Sequence, residues 1–121
     1  MRLLKLMMFA SDLKRAKEFY ENVLGFPLNS ETENSLTFLS DDLNLTIFKC
    51  EYDSTIDNYA QTARSVFVFE VDSIAKEFAN LKAKGVNFLH KIPAENENCF
   101  YAAFQDPFGN VHEIAERKKF K

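Results

Sequence analysis

The side chains most able to do chemistry in this chain are a histidine and a glutamate that lie next to each other. His112 and Glu113 stand in the run Val111-His112-Glu113-Ile114. A zinc protease would need a second histidine at the spacing His-Glu-x-x-His on a helix. No histidine follows at that spacing, and the run is typical of a strand, so His112 is interpreted as a packed or exposed residue. Glu113 is a candidate general base.

The other reactive residue types do not form a group in the sequence. Cys50 and Cys99 lie far apart in strand-like runs, and two cysteines are too few for a zinc finger or a disulfide framework. We expect them to be reduced thiols of a cytoplasmic protein. His90 lies near a strand end, and Asp106 belongs to a turn that accounts for its presence.

Length, composition and charge limit the kinds of molecule that this protein is expected to bind. The chain has 121 residues, of which 46% are apolar, which suits one domain with a real core. Its formal net charge of −3 argues against nucleic-acid binding, because phosphates require an excess of positive charge. The N-terminal apolar run contains Lys5 and lacks a cleavage site, and no stretch approaches the roughly 20 apolar residues of a membrane span. The sequence therefore predicts a cytoplasmic protein that binds neither nucleic acid nor membrane.

The elements that must position these side chains occur twice. Asp12 and Gly25 recur as Asp72 and Gly85, at an offset of 60 residues. Between them, an Ala-Lys-Glu-Phe block recurs at an offset of 59. We expect both aspartates to cap the start of a helix and both glycines to end it in a left-handed conformation.

A strand-like run precedes each predicted helix, and three shorter strands follow it. The predicted strands are Leu3–Phe9, Leu28–Ser30, Leu36–Leu39 and Asn44–Lys49, with a turn at Ser40–Asp42, and then Val66–Val71, Asn87–Lys91, Cys99–Phe104 and Val111–Ala115, with a polar loop at Pro93–Asn98. This pattern predicts a single α+β domain of two tandem βαβββ modules, about residues 1–50 and 63–117, joined by a linker of about 51–62. A curved mixed sheet with its helices outside would leave a concave face around a cavity for a small molecule.

Two motifs indicate a family. The first is Ser11-Asp12-Leu13 with Phe19-Tyr20 and Val23-Leu24-Gly25-Phe26, and the second is Asp106-Pro107-Phe108-Gly109-Asn110 followed by Val111–Ile114. Together they resemble the vicinal oxygen chelate superfamily, which includes glyoxalase I, extradiol dioxygenases and the fosfomycin- and bleomycin-resistance proteins. The resemblance implies the paired-module fold and a homodimer with its pocket near or across the contact.

Catalytic members of this superfamily hold a metal ion with one His, Gln or Glu side chain from each of four strands. The resemblance places those four positions at Lys5, Asn44, Ser65 and Glu113. Only Glu113 is a usual ligand, and the ammonium of Lys5 has no lone pair and would repel a cation. We therefore predict that the protein uses no metal and no other cofactor.

The same four residues, together with Phe67 and Phe69, are the predicted ligand-binding residues. By alternation along their strand, Phe67 and Phe69 are expected to lie on the cavity face, which would make the pocket apolar and aromatic. Lys5 and Glu113 are expected either to contact the ligand or to pair with each other where the metal would lie.

Three functions are compatible with these residues. The first hypothesis is metal-independent binding of a small, partly aromatic or drug-like molecule, as the resemblance to bleomycin-resistance proteins implies. The second is a metal-free lyase or isomerase that uses Glu113 as its base. The third is a role in assembly, with the pocket filled by the protein's own side chains.

Overall fold

Each half of the chain forms a βαβββ-type unit with its own mixed sheet. The computed structural model describes residues 5–39, 43–53 and 65–119, and the chain divides into two compact units, Met1–Thr55 and Ile56–Lys121. The first unit contains β1 Leu6–Ala10, α1 Leu13–Lys17 continued by a π-helical turn Glu18–Val23, β2 Leu28–Glu31, β3 Ser35–Phe38 and β4 Leu45–Lys49. The second contains β5 Phe67–Glu70, α2 Ile74–Ala83, β6 Asn87–Phe88, β7 Ala94–Glu95, β8 Cys99–Gln105 and β9 Val111–Arg117. The predicted α+β class is confirmed.

The first sheet packs one of its faces under the helix. Its strand order is β1-β4-β3-β2, with β1 parallel to β4 and the other neighbours antiparallel. On the helix side, the Tyr20 hydroxyl donates to Met8 Sδ at 3.8 Å, and the Tyr20 and Phe38 ring centroids lie 5.8 Å apart. The buried side chains of this layer are Met8, Ala10, Ala16, Phe19, Tyr20, Leu36, Phe38, Leu45 and Ile47.

The second sheet is joined to its helix by a chain of aromatic rings. Its strand order is β5-β9-β8-β6, with β7 paired to β8. The ring of Phe78 on α2 lies 4.4 Å from that of Phe88, Phe88 lies 5.7 Å from Phe104, and Phe104 lies 5.5 Å from His112. The side of the sheet that carries Phe104 and His112 is therefore the side that faces the helix.

The helix ends follow the repeat, with one correction. The Asp12 side chain accepts from the backbone N–H of Arg15, and Gly25 and Gly85 have φ of 79° and 87°, as predicted. Asp72 does not cap α2. The cap is Ser73, whose hydroxyl accepts from the N–H of Lys76.

The first helix is one residue longer than α2, and the additional residue is accommodated by the π-helical turn. Gly25 follows its helix cap Asp12 by 13 positions in the sequence, and Gly85 follows its helix cap Ser73 by 12. The N–H of Leu24 donates to the carbonyl of Phe19, five residues back, at 2.9 Å, which is the bond that defines a π turn. The two copies are thus offset by 61 residues before their helices and by 60 after them.

Several strand bounds differ from the sequence prediction. The strand predicted at Asn87–Lys91 ends at Phe88, and the loop predicted at Pro93–Asn98 contains the short strand β7. By contrast, β9 extends to Arg117, two residues beyond its predicted end. The predicted turn at Ser40–Asp42, the first residues of the strand predicted from Leu3 and the linker beyond Asp53 lie outside the described residues.

Candidate functional site

The side of the first sheet opposite the helix carries apolar, aromatic and hydroxyl side chains. The strand register sets Met7 beside Thr46, Thr46 beside Thr37, and Phe9 beside Phe48. Met7 and Phe9 are 47% and 51% exposed. The Thr37 and Thr46 hydroxyl oxygens lie 3.4 Å apart, and the Phe9 and Phe48 ring centroids 6.5 Å apart. We name this surface the open face of the first unit; it consists of Lys5, Met7, Phe9, Thr37, Asn44, Thr46 and Phe48.

The predicted alternation along β4 is confirmed. Leu45 and Ile47 are buried on the helix side, and Thr46 pairs across the open face with Thr37. Asn44, which precedes Leu45, is half-buried, and its backbone carbonyl accepts from the N–H of Leu6 at 3.0 Å. Asn44 thus lies at the end of the open face beside the start of β1.

Lys5 places a positive charge on this face. It is half-buried, and its Nζ lies 5.5 Å from the centroid of the Phe48 ring, within the range of a cation–π interaction. In the described part of the first unit, no carboxylate lies within ion-pair distance of the Lys5 Nζ. The ion pair found there joins Lys17 and Glu31. Within the described part of the first unit, the Lys5 ammonium therefore interacts with the Phe48 ring and with no carboxylate.

Glu113 lies in the second unit, on the face opposite the helix. It is half-buried and is aligned with Val68 on one neighbouring strand and Ala103 on the other. Val68 is 57% exposed. Glu113 therefore stands between two small apolar side chains, and an ion pair between it and Lys5 of the first unit stays a prediction.

Phe67 and Phe69 do not share the face of Glu113, and the sequence interpretation was wrong on this point. Phe67 is paired in register with His112, and the Phe67 and Phe69 rings lie 5.6 and 5.5 Å from the His112 ring. Neighbouring residues of a strand point to opposite faces, so both phenylalanines lie on the helix side and pack on His112. They belong to the core cluster of this unit.

His112 is a packed core residue, as expected from the missing zinc-protease motif. It is 1% exposed among the rings of Phe67, Phe69 and Phe104. Burial lowers the pKa of His112 to about 4, because an imidazolium among hydrocarbon rings loses its hydration. His112 is therefore neutral near pH 7.

The metal-ligand position predicted at Ser65, as the counterpart of Lys5 in the second unit, is wrong by one residue. Lys5 stands seven residues before its helix cap Asp12, and the residue seven before the observed cap Ser73 is Val66. The burial patterns agree with this alignment, because exposed Met7 then corresponds to exposed Val68. Ser65 is an exposed residue ahead of β5, and the sequence did not single out Val66.

These positions do not fit the metal ion that the superfamily implies. Their side chains are an ammonium, an amide, an isopropyl group and one carboxylate, at Lys5, Asn44, Val66 and Glu113. An ammonium and an isopropyl group have no lone pair to donate, so only an amide and a carboxylate oxygen are left. Over residues 5–39, 43–53 and 65–119, no three His, Cys, Asp or Glu side chains are grouped so that they could hold a metal. The expected absence of a cofactor stays a prediction.

A cleft that sequence reasoning did not find lies in the second unit. It has a volume of about 590 Å³ and is lined by Glu70, Val71, Asp72, Asn98, Cys99, Glu116, Arg117, Lys118 and Lys119. Several of its charges are already paired: Arg117 with Glu70 and Lys118 with Glu95. The Glu116 carboxylate accepts from the N–H of Ile74 at 2.8 Å. These contacts leave the cleft without a dominant sign of charge.

Two tandem βαβββ units with mixed sheets define a glyoxalase-type fold, and comparison with known proteins agrees. Residues 2–114 match the Glyoxalase/Bleomycin resistance protein/Dioxygenase superfamily. The chain belongs to this superfamily, in agreement with the two motifs identified in its sequence. Among the described residues, no helix has the length and apolarity needed to cross a membrane.

Similar proteins include enzymes and a binding protein. The chain is 29% identical to a lactoylglutathione lyase from Escherichia coli O157:H7, over 98% of this chain and 94% of that protein. Its fold is similar to that of TnmS3, an antibiotic binding protein from Streptomyces sp. CB03234, with a TM-score of 0.75, 21% identity and coverage of 98% and 97%. It is also similar to that of a lactoylglutathione lyase from Agrobacterium tumefaciens, with a TM-score of 0.72, 21% identity and coverage of 95% and 92%.

Proposed function

We propose that this protein binds a small, partly aromatic organic molecule without a metal ion. The observation that carries the proposal is the open face of the first unit, where exposed Met7 and Phe9 adjoin the Phe48 ring and the Thr37–Thr46 hydroxyl pair. Apolar surface with a few polar groups that orient the ligand is typical of small-molecule sites. The similarity to an antibiotic binding protein supports a binding role, and the residues at the four metal-ligand positions favour one that needs no metal.

A thermal-shift screen tests this proposal. We expect aromatic compounds of drug size to raise the melting temperature equally with and without EDTA. A ligand present at one hundred times its Kd adds about 2.7 kcal/mol to the free energy of unfolding. Phe9→Ala should weaken binding, because Phe9 is 51% exposed and supplies part of the contact surface.

The matched control for Phe9→Ala is Ile92→Ala, which removes an exposed apolar side chain from the segment between β6 and β7 of the second unit. It should leave the affinity unchanged if the open face of the first unit forms the contact. The proposal fails if no compound raises the melting temperature, or if every shift disappears with EDTA.

The second candidate is a metal-free lyase or isomerase, and it is favoured by the similarity to lactoylglutathione lyases. Glu113 is the residue that would act as its base, since it is a half-buried carboxylate on the face opposite the helix. If the protein turns over a small carbonyl substrate in the presence of EDTA, we expect Glu113→Gln to lower kcat by at least about a hundredfold. The glutamine keeps the shape of the side chain and removes its ability to take a proton. Turnover that survives this change would exclude Glu113 as the base.

A further inference from the structure

Lys5 gives the open face of the first unit a preference for one sign of charge. Residues in register on β1, β3 and β4 contribute Met7, Phe9, Thr37, Thr46 and Phe48 to this face, and all five are uncharged. Among the described residues that we assign to this face, Lys5 is the one with a charged side chain. Thr46 is only 5% exposed and Thr37 is half-buried. A ligand on this face therefore meets hydrocarbon, aromatic rings, the Thr37 hydroxyl and one ammonium.

The ammonium of Lys5 is placed to be paired by a ligand. It is half-buried and lies 5.5 Å from the centroid of the Phe48 ring, so part of its hydration is already replaced by the face of an aromatic ring. A ring attracts a cation but accepts no strong hydrogen bond, so the three donors of the ammonium stay available to an anion. Within the described part of the first unit, no carboxylate of the protein takes that place.

The rest of the face suits a flat aromatic body. The Phe9 and Phe48 rings are tilted by 36° with centroids 6.5 Å apart. Exposed Met7 lies two residues before Phe9 on the same face of β1. Thioethers and aromatic edges both make favourable contacts with a ligand ring. The hydroxyl of half-buried Thr37 can donate to, or accept from, a polar substituent of that ring, whereas Thr46 is 5% exposed and its hydroxyl lies 3.4 Å from that of Thr37.

We propose that the ligand of this protein is an aromatic organic anion, such as an aryl carboxylate, whose anionic group pairs with Lys5 while its ring packs on Phe9, Phe48 and Met7. This inference rests on the proposed binding function and specifies the class of molecule bound. A neutral molecule of the same shape loses the charge-assisted hydrogen bond, and a cation is repelled by the ammonium.

The test uses three probes that share one ring system: 2-naphthoate, 2-naphthamide and 2-naphthylmethylammonium. Titration calorimetry on the full chain in low salt should give an affinity order of carboxylate over amide over ammonium. The carboxylate should bind about tenfold more tightly than the amide, which corresponds to about 1.4 kcal/mol. The ratio should fall in 0.5 M NaCl, since salt screens the pairing.

Two variants assign the preference to Lys5. Lys5→Met keeps a long apolar side chain and should bring the carboxylate-to-amide ratio close to one, whereas Lys5→Arg should retain it. Phe9→Leu should weaken all three probes by a similar factor, because it alters the ring contact and leaves both Lys5 and the Phe48 ring beside it in place.

The failures of the two proposals are distinguishable. Equal affinity for the carboxylate and the amide in the unmodified protein, or an unchanged ratio in Lys5→Met, would overturn the anion preference and leave the binding function standing. If none of the three probes binds and the thermal-shift screen also finds no ligand, both proposals fall.

Discussion

Replacing Asp106 by alanine is expected to lower the free energy of unfolding by about 4 kcal/mol, the largest single effect that we predict. One Asp106 oxygen accepts from the backbone N–H groups of Phe108 and Asn110, at 2.9 and 2.8 Å. The other accepts from the side-chain amide of Asn110 at 2.7 Å. Asp106 is 5% exposed, so water can replace these bonds only poorly. Hydrogen bonds to a charged group are worth about 1.5–3 kcal/mol each, and they are not additive.

Urea denaturation followed by circular dichroism measures this effect. Asp106→Asn should recover about half of the loss, because its carbonyl oxygen can still accept from both backbone N–H groups while its amide nitrogen cannot accept from Asn110. Asp72→Ala is the matched control, since Asp72 is exposed and does not cap α2. It should cost less than about 0.5 kcal/mol. A loss below about 1 kcal/mol in Asp106→Ala would show that the turn forms without its carboxylate.

Acid is expected to destabilise the protein through His112. The pKa of this residue is lowered from 6.5 to about 4 in the folded protein, so the unfolded chain binds a proton more readily between these values. The contribution of His112 is therefore fully present above about pH 6.5 and is lost as the pH falls towards 4. A shift of this size corresponds to about 3 kcal/mol.

The effect of His112 can be separated from that of the carboxyl groups by comparing variants. Unfolding free energies at pH 7 and pH 4 should differ by about 3 kcal/mol less in His112→Gln than in the unmodified protein, whatever the glutamine costs at pH 7. His90→Gln should keep the full pH dependence that is due to His112. If His112→Gln and the unmodified protein lose the same free energy between the two pH values, His112 is not the group that titrates.

The sequence predicted the faces of a strand where polar and apolar residues alternate. On β4, Thr46 stands between Leu45 and Ile47, and the buried leucine and isoleucine marked the helix side correctly. On β5, the run from Val66 to Phe69 is apolar at every position, so nothing in it distinguishes the two faces. The side was instead inferred by alternation from the metal-ligand position predicted at Ser65, which placed Phe67 and Phe69 on the wrong face.

The cap of α2 shows a second limit of sequence reasoning. Asp72 and Ser73 are adjacent, and their residue types are about equally good helix caps. In the structure, the Glu116 carboxylate, 42 residues further along the chain, accepts from the N–H of Ile74, while Ser73 accepts from Lys76. A contact with β9 at this distance in sequence cannot be found from local patterns.

The π-helical turn at Glu18–Val23 suggests where such a duplicated chain can gain or lose a residue without harm. An insertion in a strand would turn every later side chain of that strand to the opposite face. In the first helix, one additional residue is confined to a single widened turn, and Gly25 still ends the helix with the same left-handed backbone as Gly85. The helices can thus absorb length changes between the copies while the sheets keep their faces, so the two copies can diverge in length through their helices.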